Sequence, residues 1–192
     1  MRSFHIENMH YALTVSILGL DLSLTSTGWA INNKTGSIAV KTKESQRLYD
    51  IRKEVNRVIV ENQATSVVVE GYAFAARNSQ SHKIGELGGV VRLMLFELGI
   101  PHVDVPPTCR AKFATGRGNA AKTEVISAVS ARTGIVWSGK GADDEVDAWL
   151  LEEMGWTALG MGHYDWPKAS LDALKNVDWS PIMETGTPHG NT

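Results

Sequence analysis

Five carboxylates stand where buried elements begin or end. Asp21 closes the apolar run Ile17-Leu18-Gly19-Leu20, Glu70 closes Val67-Val68-Val69, and Asp143, Asp144 and Asp147 open a segment containing Val146, Trp149, Leu150 and Leu151. An ionised carboxylate beside such elements is costly unless something compensates it. Spacings of three and four residues put Asp144 and Asp143 on the same helical face as Asp147. If both strand ends meet that face, several acids share one pocket, and their repulsion calls for cations. Oxygen-only ligands suit Mg²⁺, with Mn²⁺ able to substitute. Two such ions roughly 3.5–4 Å apart can activate a water and stabilise the leaving oxygen of a phosphodiester. The competing reading is structural: an Asp before a Ser/Thr turn caps the turn, and acids at a helix start favour its dipole.

The elements that must position these acids can be read from periodicity. Leu13 to Asp21 has the apolar body of a buried strand. A turn at 23–28, a strand at 29–31, a turn at Asn32–Gly36 and a strand at 37–42 predict three strands in hairpin succession. A helix follows over 46–62, with Leu48, Ile51, Val55, Val58 and Ile59 on one stripe. Ser66–Glu70 is a fourth strand. A helix over 81–98 carries Ile84, Leu87, Val91, Met94 and Leu98 at helical spacing, and His102–Val105 is a fifth strand. Helices over 121–133 and 143–154 end at Gly134 and Gly155. The order predicts an α/β fold, a mixed sheet flanked by helices. Residues 1–155 form the expected domain, and 156–192, lacking any period, a partly irregular tail that wraps it.

Composition agrees with a globular chain: 43% hydrophobic and 21% charged over 192 residues. No run reaches the roughly 18 apolar residues of a membrane span. No secretory signal is visible at the start, and the single cysteine, Cys109, fits a reducing compartment, so a cytoplasmic location is expected. The net charge of −2 is unlike a typical nucleic-acid binder, but its distribution softens the objection. Residues 1–154 hold 17 Lys+Arg and 17 acids, whereas 155–192 hold two Lys and four acids. Arg110 to Lys122 contains Arg110, Lys112, Arg117 and Lys122 with no acid, around Gly116-Arg117-Gly118. It reads as a loop that contacts phosphates, or as an ordinary solvated face.

The chain resembles the RuvC family of Holliday-junction resolvases. The likeness runs through Gly19-Leu20-Asp21-Leu22-Ser23 with Thr27-Gly28-Trp29-Ala30, then Val69-Glu70, Phe74 to Asn78 and Lys83-Ile84-Gly85. It continues through Pro106-Pro107, Lys112, Gly116, Gly118 and Ala121-Lys122 to Asp144-Glu145-Val146-Asp147-Ala148. This resemblance implies an RNase H-like fold with three antiparallel and two parallel strands, a homodimer, and metal-dependent cleavage of four-way DNA junctions. It implies that Asp21, Glu70, Asp144 and Asp147 hold two ions, with Asp143 as an alternative ligand and Lys122 near the scissile phosphate. Phe74 matches a base-stacking aromatic; one extra residue after Glu70 could pass that role to Tyr72. Arg77 and Lys83 would extend the DNA surface, and the helix over 81–98 would lie at the dimer contact. The low charge and Trp-bearing tail resemble divergent phage-encoded members.

Two alternatives stay open. A catalytically silent junction-binding architectural protein would keep the surface without the reaction. Asp21 to Gly28 is also similar to the phosphate loop of actin-like and sugar-kinase ATP-binding proteins, which need two large domains and far more residues.

Overall fold

The computed structural model describes residues 15–71, 79–139 and 141–183. Five strands form one sheet in the order β3-β2-β1-β4-β5: β1 Ile17–Asp21, β2 Thr27–Ile31, β3 Lys34–Ile38, β4 Ser66–Glu70 and β5 His102–Val105. The pairs β1–β2 and β2–β3 are antiparallel, while β1–β4 and β4–β5 are parallel. This is the expected mixed sheet.

The third strand starts three residues earlier than the sequence suggests. Asn32 and Asn33 both adopt positive φ, 51° and 62°, so the hairpin closes in two residues. Asn tolerates that conformation, and such a turn follows the natural twist of the strands. The apparent turn residue Gly36 lies inside β3, where it packs against the Trp29 ring.

Helices cover both faces. On one face lie α1 (Glu44–Asn62) and α2 (Ser79–Glu97). Ile51, Val55, Val58 and Ile59 of α1 and Leu87, Val91, Met94 and Leu95 of α2 pack there with Leu18, Leu20, Val67 and Val69 of the sheet. Leu98, expected on this stripe, falls beyond the end of α2 and is exposed. The opposite face carries α3 (Pro107–Thr115), α4 (Lys122–Thr133) and α5 (Ala142–Ala158). Val68, Val103, Val105, Phe113, Val129 and Leu150 belong to that second core. The sheet is therefore sandwiched, which explains why β1 and β4 read as unbroken apolar runs.

Two stretches differ from expectation. Residues 110–115, read as the start of a basic loop over 110–122, belong to helix α3; Pro107 fits its first turn, and Gly116 ends it with φ 80°. The segment after Gly155 is more ordered than its composition suggests. α5 continues to Ala158, and α6 (Lys168–Leu174) and α7 (Ser180–Met183) follow. Both are too short to leave a period in the sequence. Trp166, Ala173, Trp179 and Ile182 are buried in the second core, and the Trp166 ring lies 4.2 Å from Phe113 of α3.

The outer strand β5 ends the sheet with an ion pair, Arg92 of α2 to the exposed Asp104. Among the described residues no helix is long and apolar enough to cross a membrane.

Candidate active site

Strand alternation decides which way the acids point. Side chains two apart share a face, so Asp21 faces as Ile17 and Gly19 do, and Glu70 faces as Val68 does. Ile17 and Val68 belong to the core under α5. The parallel register Leu20↔Val69 makes Asp21 and Glu70 neighbours at the C-terminal ends of adjacent strands. Their side chains thus converge beneath α5.

α5 comes close because two glycines let it. A Cβ at Gly19 would sit 2.1 Å from the Ala148 carbonyl oxygen, and one at Gly28 would sit 2.1 Å from that of Asp144. With the helix seated on β1 and β2, Asp147 is driven into the sheet and is 2% exposed; Asp21 is 8% exposed.

Arg110 joins these acids. Its Nε donates to Glu70 Oε1 at 2.6 Å, and its Nη1 donates to Asp147 Oδ1. The guanidinium is buried on the inner side of α3. Burial pushes the Asp21 carboxyl well above its ordinary range; Glu70 adds to this and Arg110 opposes it. Burial likewise lifts Asp147 to about 6, against the pull of Arg110. Burial alone would lower the Arg110 pKa, but Glu70, Asp147 and Asp21 together raise it.

Lys122 stands at the rim, at the first turn of α4. Its Nζ lies 3.2 Å from Asp143 Oδ2 and 3.9 Å from Asp147 Oδ2. The hydrogen bond from Lys122 holds Asp143 below its ordinary pKa. Asp144 is half-buried with its carbonyl against Gly28, and the Arg110 ion pairs do not include it.

Whether this donor set suits a metal ion can be judged from its atoms. Every acidic ligand is a hard oxygen, and Asp147 Oδ2 is buried without a hydrogen-bond partner. Such an orphaned oxygen is what a divalent cation would satisfy. Yet no three described acids, histidines or cysteines are gathered into a ready-made ion site. The donors fit the ion in kind, while Arg110 takes up atoms of two of them.

The family described as crossover junction endodeoxyribonuclease RuvC matches residues 17–135. The chain belongs to the RuvC family. A RuvC of Sorangium cellulosum is 29% identical over 126 residues, 60% of this chain and 70% of that one. A RuvC of Synechococcus sp. strain WH7803 is 27% identical over 151 residues, 73% of this chain and 97% of that one. Among solved structures, T. thermophilus RuvC in complex with Holliday junction substrate superposes with a TM-score of 0.61. It shares 21% identity over 80% of this chain and 99% of that one. The yeast mitochondrial Holliday junction resolvase Ydc2 gives a TM-score of 0.51 and 12% identity, over 90% of this chain and 85% of that one. The fold is therefore RNase H-like, as the resemblance implied.

Within this RuvC-family fold the other expected DNA contacts are scattered. Arg110, expected among the phosphate contacts, is buried against Glu70 and Asp147. Lys112 is half-buried on α3, exposed Arg117 pairs with Glu124 at 2.6 Å, and Lys83 is exposed near the start of α2. Tyr72, Phe74 and Arg77 lie outside the described residues. The residue missed by sequence reasoning is Arg110 as a partner of the acids. Its signal is a cation set among the apolar Cys109, Ala111, Phe113 and Ala114, with Lys112 two residues on.

Proposed function

We propose that this chain is a structure-selective endodeoxyribonuclease that resolves four-way DNA junctions by divalent-metal-dependent hydrolysis, with Mg²⁺ as the working ion. One observation carries the reading: Asp21, Glu70 and Asp147, from two strand ends and a helix, lie within electrostatic reach of one another around Arg110, with Lys122 at the rim. Asp21, Glu70, Asp144 and Asp147 would hold two ions, with Asp143 in reserve. Bound there, divalent ions supply Lewis-acid activation of water and of the leaving oxygen. Lys122 contributes a cation at the rim, where charge develops on a phosphate oxygen. Lys83, Lys112 and Arg117, with Tyr72, Phe74 and Arg77, would contact the backbone or stack on bases at the branch.

The active form is a homodimer, supported by the outer face of α2, where Leu93 and Phe96 are 57% and 81% exposed. Residues up to about 155 are the nuclease unit, with the following segment as its brace. Its place of action is the cytoplasm.

A second reading draws on Arg110. A guanidinium paired with two of the acids would also suit a silent junction-binding protein. One assay separates the two. Labelled four-way, three-way and linear duplexes are incubated with and without Mg²⁺, using wild type, Asp21→Asn and Glu70→Gln. The nuclease reading expects nicking of the four-way junction only with metal, and variants that bind but do not cut. Junction binding with no nicking in either Mg²⁺ or Mn²⁺ would sink it in favour of the silent protein.

A further inference from the structure

A cation already lies among the acids. Arg110 is 8% exposed, and its Nε and Nη1 are bonded to Glu70 Oε1 and Asp147 Oδ1. A charge so enclosed keeps its place only while its partners hold it. Those partners come from β4 and α5, two of the elements whose acids a bound metal ion would need. An oxygen engaged by a guanidinium N–H is a poorer ligand for a metal ion, and the positive charge repels the ion besides.

Formal charge sharpens the point. Asp21, Glu70, Asp144 and Asp147 carry four negative charges when ionised, which two divalent ions balance, while Lys122 and Asp143 offset each other. Arg110 then leaves one positive charge in surplus unless the guanidinium moves away from its two carboxylates. We propose that Arg110 is a resident counter-ion that divalent metal must displace from Glu70 and Asp147, so that it sets the metal concentration the site requires. This rests on the metal-nuclease reading and makes Arg110 a positioning residue, acting through the carboxylates it holds.

The test measures metal binding to the full chain without DNA. Mn²⁺ affinity is read by electron paramagnetic resonance for wild type, Arg110→Gln and Arg110→Lys. Gln is shorter and keeps hydrogen-bonding capacity but no charge, so Mn²⁺ should bind roughly tenfold tighter. Lys keeps the charge without bridging two carboxylates and should fall between. Arg110→Gln should also lose thermal stability without metal and regain more of it than wild type when Mn²⁺ is added.

A measurement on the wild type does not depend on any variant folding. The Arg110 Nε–H resonance, protected in the metal-free protein, should shift and exchange faster with water as Mg²⁺ saturates the site. Unchanged or weaker Mn²⁺ affinity in Arg110→Gln, or an Nε–H signal unmoved at saturation, overturns the proposal. So does the lack of saturable metal binding in both proteins. The nuclease reading is judged separately, by whether Asp21→Asn abolishes cleavage.

Discussion

Gly28 of β2 and Asp144 of α5 meet backbone to backbone, with no room between them for a methyl group. The acid-bearing end of α5 is therefore seated on β2 at a separation that any side chain at position 28 would prevent. Gly28→Ala should lift that end and cost about 3 kcal/mol of stability, at the upper end of typical overpacking effects. Gly89→Ala is the control: it lies within α2, a Cβ there meets nothing within 4 Å, and the change should stabilise by up to about 1 kcal/mol. Urea unfolding midpoints decide both. A neutral Gly28→Ala would mean that α5 is not pinned there.

Lys122 should matter for rate and little for folding. Its side chain is 60% exposed, so Lys122→Met removes few packing contacts. Loss of a cation that faces developing charge predicts a drop of about 100-fold in single-turnover cleavage. Junction affinity and unfolding midpoint should stay near wild type. A large loss of stability instead would assign Lys122 a structural task.

Glu152 should make stability fall as pH rises. The side chain is 5% exposed and accepts a hydrogen bond from the Asn32 backbone N–H at 2.8 Å. Burial raises its pKa from 4.5 to about 7. The folded state thus prefers the protonated acid. That preference is fully present below about pH 4.5 and is lost as pH climbs through 7, at a cost of about 3 kcal/mol at most. Stability–pH curves of wild type and Glu152→Gln should diverge over that window, with the Gln variant flatter. Parallel curves would show that Glu152 ionises freely in the fold.

Trp166 should behave as a core residue although it lies in the tail. Its ring rests on Phe113, its Nε1 donates to Glu153 Oε1 at 3.0 Å, and the Arg132 guanidinium stands 5.2 Å from its centroid. Trp166→Ala should lower stability by about 3–5 kcal/mol. Phe113 is one helical turn from Arg110, so the anchorage of α3 should loosen as well. Limited proteolysis that leaves α3 as protected as in wild type would count against that link.

Phe96 offers a test of association. Phe96→Glu puts charge on the outer face of α2, and a dimer built there should become monomeric in sedimentation at micromolar protein. Persistence of a dimer would move the interface elsewhere.

Much of this could be read in the chain because the strongest signals were local. β1 and β4 declared themselves as short apolar runs, and the stripes of α1 and α2 had the right period. Asp21 and Glu70 stood out because each ends a run with no other charge. The missing pieces depended on distance or brevity. Helix α3 has nine residues and a mixture of basic and apolar side chains, so Arg110 looked like part of a solvated loop. Its true partners are 37 and 40 residues away in the chain, a relationship only the fold creates. The turn at Asn32-Asn33 was hidden by Gly36, a stronger turn former by composition. The burial of Trp166 and Trp179 rests on long-range packing that no period announces.

The ion pair between Arg92 and Asp104 has a consequence for solubility. β5 is the sheet's last strand on that side, four residues long, and its neighbouring helix places fixed charge along it. Another polypeptide adding itself there in extended form would have to bring its own side chains against that fixed charge. Fibril-like growth through β5 is thereby discouraged.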